Sequence, residues 1–230
     1  MYTENSCAER ATFVPPPPAE LPDALGALET FLHTDDALPP LIKIGLAHAQ
    51  FETIHPFLDG NGRVGRLLVT FLLCENQVLD KPVLYLSHYF KRHRQSYYDH
   101  LQAIRDNSAF EEWLEFFLTG VIEVSLEASV TARRVLALRE QHRDLIAARL
   151  GGAAGNGHRT LEHLFEHPIV SVNEVRELIG TTYPAANQLV GRLAKIGILT
   201  EVTGHARNRR FRYDAYIRLF ADDLSPEEEQ

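Results

Sequence analysis

Apolar residues recur at three- and four-residue steps over most of this chain, which predicts a mainly helical protein. The clearest case runs from 41 to 54, where the periodic positions are Leu41, Ile44, Ala47, His48, Phe51 and Ile54. A second apolar helix is predicted from Gly62 to about Asn76. The other predicted helices before residue 150 are Pro22–Leu32, Ser87–Ile104 and Ser108–Leu150, the last with a bend at Gly120.

The pattern changes after a glycine-rich stretch at 151–157. Three short helices are predicted at Thr160–His167, at Ser171–Gly180 and from Thr181 or Thr182 to Gly197, followed by strands at Ile198–Val202 and Arg210–Tyr213. Ser171 and Glu174 form a capping box at the start of the second of these helices. Helix, helix, helix and hairpin is the order of a winged helix, whose third helix enters a DNA major groove. The candidate phosphate contacts are Arg192, Lys195, Arg207, Arg209 and Arg210. A protein-docking or dimerising module fits the same pattern.

These patterns divide the chain into five parts. Residues 1–22 form an N-terminal segment with one short strand at 12–14 and four consecutive prolines, which favour an extended rod. A helical core occupies 23–150, a flexible glycine-rich linker 151–158, the winged helix 159–220 and an acidic tail 221–230.

The stretch from His55 to Arg66 concentrates chemistry at the junction of two predicted helices. Pro56 ends the first helix because its ring cannot continue the turn and its nitrogen cannot donate. Gly60 and Gly62 allow a tight turn that exposes backbone N–H groups. The second helix begins there, and the unpaired amides of a helix N-terminus bind anions. A phosphate site is therefore predicted in this loop.

The charged and titratable side chains of the same stretch are those that phosphoryl or nucleotidyl transfer requires. Arg63 and Arg66 share a helix face and can both reach one polyphosphate. Asp59 would repel phosphate unless a cation lies between them, and Mg²⁺ bridges a carboxylate and phosphate oxygens in this way. His55 carries the side chain that most readily takes up a proton at neutral pH. Each residue alone is more commonly structural, but the combination at fixed spacing is not.

His-x-Phe-x-Asp-Gly-Asn-Gly-Arg-x-x-Arg at 55–66 resembles the signature of the Fic family at every defined position. The resemblance extends to Phe13–Pro18 upstream, to Leu84–Ser87 and Tyr97-Tyr98 downstream, and to the C-terminal winged-helix module. It implies a mainly α fold, in which a Fic helical core with a partial β flap is followed by a small winged helix-turn-helix domain. It also implies transfer of AMP from ATP to a Ser, Thr or Tyr hydroxyl of a target protein.

The resemblance assigns a role to each residue of the signature. His55 would be the catalytic base, Asp59 would hold Mg²⁺, and Phe57 would anchor the loop in the core. ATP would be bound by Gly60, Asn61, Gly62, Arg63, Arg66 and, through adenine, Tyr98. No segment of the sequence shows the Ser/Thr-x-x-x-Glu-Gly/Asn pattern of the family's inhibitory helix. Weak self-inhibition is therefore expected.

Composition and charge bear on nucleic-acid binding and on the location of the protein in the cell. The net charge of −8 argues against a protein coated with nucleic acid, yet 159–220 holds nine Lys and Arg against six Asp and Glu. No apolar run is long enough to span a bilayer, no secretion signal is visible, and two cysteines make no disulfide framework. A cytoplasmic protein, with a homodimer as one expectation, is predicted. The rival functions are a DNA-binding regulator whose Fic core is a scaffold or nucleotide sensor, and a Fic enzyme that removes AMP.

Overall fold

The structure is a computed structural model of the 230-residue chain and describes residues 13–34, 37–80, 85–205 and 208–220. Before residue 151 the helices are α1 (Leu21–His33), α2 (Pro40–Ile54), α3 (Asn61–Glu75), α4 (Leu86–Arg92), α5 (Arg94–Asn107) and α6 (Phe110–Leu150). The later elements are α7 (Ala154–Glu166), β1 (Ile169–Ser171), α8 (Val172–Ile179), α9 (Tyr183–Lys195), β2 (Thr200–Glu201), β3 (Arg210–Arg212) and α10 (Asp214–Arg218). The predicted mainly α class is confirmed.

The chain divides into two compact units between Ala128 and Ser129, so the boundary falls within α6. The flexible linker predicted at 151–158 is therefore wrong. Gly151–Ala153 form a 3-10 turn, and α7 begins immediately afterwards at Ala154. Gly157 is buried, and a Cβ there would stand 2.8 Å from Leu150 and 2.9 Å from Ile146. This glycine lets α7 pack closely on the end of α6 instead of making the chain flexible.

The core of the first unit is built around α2 and α3, which lie side by side. Its fully buried members include Ile44 and Ile54 on α2, Leu73 on α3, and Trp113 and Phe117 on α6. The indole Nε1 of Trp113 donates to the backbone oxygen of Gly45 at 2.9 Å, which ties α6 to α2. The ends of α2 and α3 that carry the signature are thus fixed by a packed core.

One predicted helix differs from the structure. The helix expected at Ser87–Ile104 is broken at His93 into α4 and α5, and Phe90 and Tyr97 both lie in the core. The helix α6 continues through Gly120 without interruption, and the bend expected there stays a prediction. A Cβ at Gly120 would collide with the ring of Tyr89, so close packing of the two helices explains this glycine.

The N-terminal flap is not seen in the described residues. Phe13 and Val14 lie in neither helix nor strand, and Thr12, the third member of the expected strand, lies outside the described part. Pro15 to Pro18 follow without regular structure, because proline cannot donate to a strand ladder. A turn in which the N–H of Glu20 donates to the oxygen of Pro17 then leads into α1.

The second unit places a small antiparallel sheet, ordered β1-β3-β2, with α7, α8 and α9. Val170 and Phe211 are paired across β1 and β3 and are both buried. The capping box predicted at the start of α8 is present: the N–H of Glu174 donates to Ser171 Oγ, and the N–H of Ser171 donates to the Glu174 carboxylate. The acidic tail at 221–230 lies outside the described residues.

No helix within the described ranges combines the length and the apolar character needed to cross a membrane.

Candidate active site at the junction of α2 and α3

His55 caps the C-terminal end of α2 in a left-handed conformation, with φ 49° and ψ 56°. Its N–H donates to the oxygen of Phe51 at 3.0 Å, and Pro56 prevents the helix from continuing. A non-glycine residue in this conformation costs about 1–3 kcal/mol, so the surroundings must hold it. Within the described residues, Nδ1 of His55 is buried and has no hydrogen-bond partner.

Asn61 closes the loop that joins the two helices. Its Oδ1 accepts the N–H of Phe57 at 2.9 Å, and its Nδ2 donates to the oxygen of Phe57 at 2.5 Å. The side chain of Asn61 is only 2% exposed, whereas Phe57 is 49% exposed and leans on Phe51 with ring centroids 6.5 Å apart. The Asn61 amide, rather than the Phe57 ring alone, therefore fixes the loop.

The N-terminus of α3 offers free amides to an anion. Gly60 is the N-cap residue at φ 84°, and its oxygen accepts from the N–H groups of Arg63 and Val64, each at 3.0 Å. The N–H groups of Asn61 and Gly62 have no acceptor among the described residues. These two amides lie at the positive end of the helix dipole, where anions bind, and the anion site stays a prediction.

Charged side chains surround this helix end. The Asp59 carboxylate accepts the N–H of Gly60 at 2.7 Å and faces Arg63 Nη2 at 3.4 Å, with both side chains largely exposed. Such an exposed pair contributes at most about 1 kcal/mol, so a ligand can separate it. Arg66 is half-buried, and its Nη1 lies 3.0 Å from the place of a Cβ at Gly62. A side chain at Gly62 would displace that guanidinium.

A buried polar cluster beneath α3 was missed by the sequence analysis. Nδ1 of His48 lies 3.0 Å from the oxygen of Gly65, and Nε2 lies 2.9 Å from the hydroxyl of Tyr97. Because a carbonyl oxygen can only accept, Nδ1 carries the proton and Nε2 accepts from Tyr97. Burial lowers the pKa of His48 from 6.5 to about 4, a backbone hydrogen bond to Gly65 opposes this, and nearby Arg66 adds to it.

Glu52 is the second missed residue, at only 5% exposure and directly below the first turns of α3. Burial raises the pKa of this carboxyl group, while the charges of Arg66 and Arg105 and the hydroxyl of Tyr97 lower it. Its Oε1 has no hydrogen-bond partner in the described residues. A Cβ at Gly65 would collide with this carboxylate, so glycine is required there. The sequence signal for this buried cluster was the presence of two polar residues, His48 and Glu52, among the apolar residues of α2.

The structure brings together His55, Asp59, Gly60, Asn61, Gly62, Arg63 and Arg66 at one helix junction. Tyr98, the candidate adenine contact, lies on α5 and is 52% exposed. Its ring contacts Tyr97, with centroids 5.2 Å apart, and the Arg94 guanidinium lies 5.9 Å from its centroid. An adenine contact for Tyr98 stays a prediction.

Most of the candidate nucleic-acid contacts are engaged within the second unit. Arg192 donates to the oxygen of Leu150 at 2.7 Å. Arg209 donates to Asn187 Oδ1 at 2.6 Å, and Arg210 donates to Glu174 at 3.2 Å. Lys195 is exposed and has no hydrogen bond or ion pair to another described residue. Arg207 lies outside the described part of the chain.

A histidine at one helix end and free amides at the start of the next helix are groups that phosphoryl and nucleotidyl transfer use.

Residues 3–73 match the Fic/DOC family. A probable protein adenylyltransferase of Aquifex aeolicus is 41% identical over 70 residues, which are 30% of this chain and 22% of that protein. Protein adenylyltransferase Fic of Aedes aegypti is 30% identical over 135 residues, covering 54% of this chain and 26% of that protein.

A solved Fic family protein from Desulfovibrio desulfuricans is 21% identical with a TM-score of 0.47, covering 94% of this chain and 58% of that one. The match to the family covers residues 3–73, which include the signature at 55–66, and the predicted resemblance is confirmed over that range. The family match ends at residue 73 and does not extend to the C-terminal unit. The chain spans about a quarter of the length of the curated relatives described above.

Proposed function

We propose that this protein transfers AMP from ATP to a hydroxyl side chain of a target protein. The observation that carries the proposal is the placement of His55 at the end of α2 and of the free amides of Asn61 and Gly62 at the start of α3, on the two sides of one short loop. The names of the relatives support the same reaction. An ATP-dependent transfer also fits the proposed cytoplasmic location.

In this reaction the target hydroxyl oxygen attacks the α-phosphorus of ATP while His55 takes its proton. The bond between the α-phosphorus and the bridging oxygen breaks, and pyrophosphate leaves with the electron pair. The amides of Asn61 and Gly62 stabilise charge on the phosphate oxygens, and Arg63 and Arg66 hold the phosphate chain. Positioning and electrostatics supply most of the rate enhancement, as in other transfers at phosphorus.

The residues present fit a magnesium ion that is shared with the nucleotide. In the described part of the chain no three potential ligands cluster, and Asp59 offers one carboxylate, which is 93% exposed. Mg²⁺ commonly uses one or two carboxylates and takes its other ligands from phosphates and water. Asp59 would hold the ion, which would neutralise charge on the phosphates when bound.

Incubation with α-labelled ATP, Mg²⁺ and a bacterial lysate tests the proposal directly. A labelled protein band, or self-labelling, is expected, and mass analysis of the modified protein should show an added AMP. Release of AMP from a pre-modified protein, with no transfer from ATP, would instead support the AMP-removing rival. Absence of both reactions would reject the enzymatic proposal.

Arg66→Ala should weaken ATP binding by about 10- to 100-fold, because charge-assisted hydrogen bonds to phosphate contribute about 1.5–3 kcal/mol. Equilibrium dialysis with labelled ATP measures the affinity. Arg133→Ala, at an exposed position on α6, removes an equal charge and should leave the affinity unchanged. Equal affinity of the Arg66 variant and the parent would remove Arg66 from the site.

For the second unit we propose a winged-helix module over 159–220. Its order of helix, strand, helix, helix, strand and strand supports this, as does the antiparallel three-stranded sheet. A DNA-binding regulator stays the second candidate function on that observation alone. The internal bonds of Arg192, Arg209 and Arg210 favour docking to protein over DNA.

Duplex binding by this protein should show a shallow salt dependence. Each neutralised phosphate contributes about −0.9 to the slope of log affinity against log salt. Among the described candidate contacts only Lys195 has no partner, so we expect a slope near −1. Fluorescence anisotropy with a labelled duplex at several salt concentrations gives the slope. A slope of about −6 or steeper, reduced by Lys195→Ala, would instead establish a DNA interface.

A further inference from the structure

Among the described residues, the imidazole of His55 has no partner for the hydrogen bond that usually orients a catalytic base. In many sites the second ring nitrogen donates to a carboxylate or a carbonyl oxygen, which fixes both the tautomer and the ring plane. Here Nδ1 of His55 is buried and has no such partner among the described residues. The ring must therefore be held by packing.

Phe13 is the aromatic residue that packs on this ring. The centroids of Phe13 and His55 are 6.1 Å apart and their planes meet at 70°, which is an edge-to-face arrangement. Phe13 itself lies under the guanidinium of Arg105, whose Cζ is 3.6 Å from the ring centroid. A cation over an aromatic face is attracted by the ring quadrupole. Phe13 is thus held from one side while it contacts His55.

Arg105 is fixed to the same helix end that carries His55. Its Nη2 donates to the backbone oxygen of Glu52 at 2.9 Å, and its Nε donates to Thr53 Oγ1 at 3.4 Å. Both acceptors belong to the last turn of α2, which His55 caps in its left-handed conformation. Arg105 therefore joins the strained end of α2 to the ring of Phe13.

The chain around Phe13 limits how far its ring can move. Pro15 to Pro18 begin two residues later, and each proline has a fixed φ. The residue before a proline is restricted as well, which includes Val14. The segment therefore loses little conformational entropy when it places Phe13 at the site.

We propose that Phe13, held on Arg105, is a positioning residue that sets the ring plane of His55 for proton transfer. The proposal rests on the proposed function, because it assigns His55 the part of the base. Under this proposal Phe13 contacts neither the nucleotide nor the target protein, and it affects transfer only by orienting the ring of His55. Its loss should slow transfer without weakening ATP binding.

The variant Phe13→Ala tests the positioning role, because it should lower the rate of AMP transfer without changing the affinity for ATP. Transfer from saturating α-labelled ATP should fall about 10- to 100-fold, since misplacing a catalytic group by about 1 Å can cost a hundredfold. The dissociation constant for ATP should stay within about twofold, because the anion donors lie on α3. Phe13→Tyr, which keeps the ring, should restore transfer, and Val14→Ala at the exposed neighbouring position should have no effect. Phe13→Leu substitutes for the alanine variant if the latter does not fold.

Modification of His55 by diethylpyrocarbonate gives a readout that needs no transfer reaction. Mass analysis of the peptide that contains His55 should show several-fold faster modification in Phe13→Ala than in the parent and Phe13→Tyr. Unchanged modification, transfer at the parental rate, or a parallel loss of rate and ATP affinity would overturn the proposal. If the parent transfers nothing but the modification rates differ as stated, the proposed function fails while the positioning of His55 by Phe13 stands.

Discussion

His55→Ala should reduce AMP transfer by about 100- to 10,000-fold, which is the usual contribution of a general base. The imidazole is the only group at the junction of α2 and α3 to which we assign proton acceptance. The groups to which we assign phosphate binding are the amides and guanidiniums of α3, which the substitution leaves in place. The ATP dissociation constant should therefore change little. Labelling rate at saturating ATP and equilibrium dialysis measure the two quantities.

His33→Ala is the matched control, because His33 is an exposed histidine at the end of α1. It should transfer AMP at the parental rate. Parental transfer by the His55 variant would show that another group takes the proton, and the assignment of the base would be wrong. A large loss of ATP affinity in that variant would place the imidazole in binding instead of proton transfer.

Acid should destabilise the first unit by about 3 kcal/mol through His48, since each pKa unit is worth about 1.4 kcal/mol. Burial lowers the pKa of His48 from 6.5 to about 4 in the folded protein. Between these values the unfolded chain binds a proton that the folded protein does not. The contribution of His48 is therefore intact above pH 6.5 and is lost as the pH falls towards 4.

The single tryptophan of the chain gives a local measurement of this effect. Trp113 is fully buried and stacks on His48, with ring centroids 5.8 Å apart. Denaturant unfolding followed by its fluorescence at pH 7 and pH 4 reports on the first unit alone. This matters because a chain with two compact units need not unfold in one step.

His48→Gln isolates the effect from other titrating groups. Glu52 acts in the opposite direction: its pKa is raised by burial, so its protonation on acidification stabilises the fold. The difference in pH dependence between parent and variant cancels that contribution. We expect the variant to lose about 3 kcal/mol less between pH 7 and pH 4. An NMR titration of His48 with a midpoint near 6.5 would contradict the prediction.

Short-range patterns explain why much of the site could be predicted. The pairing of Pro56 with Gly60 and Gly62 specifies where one helix ends and the next begins, because these constraints act within a few residues. Arg63 and Arg66 share a face because of helical periodicity alone. The capping box of Ser171 and Glu174 is equally local, and it was predicted correctly.

Contacts between segments that are distant in the sequence explain where the interpretation of glycines from sequence differed from their role in the structure. Gly120 and Gly157 were interpreted as signs of a bend and of flexibility, but each accommodates a side chain of another helix or turn. Whether a glycine provides backbone flexibility or allows close packing depends on which side chains lie beside it in the folded protein. The residues next to it in the sequence do not show this.

The twelve residues from His55 to Arg66 were enough to show the family resemblance and to predict an anion site and a base, because their chemistry depends on spacing along one turn between helices. The parts played by Glu52, His48 and Phe13 became visible only when α2, α3 and α5 were packed together. The protonation of a buried group and the orientation of a ring depend on the side chains packed around them. Those side chains come from segments that are far apart in the sequence.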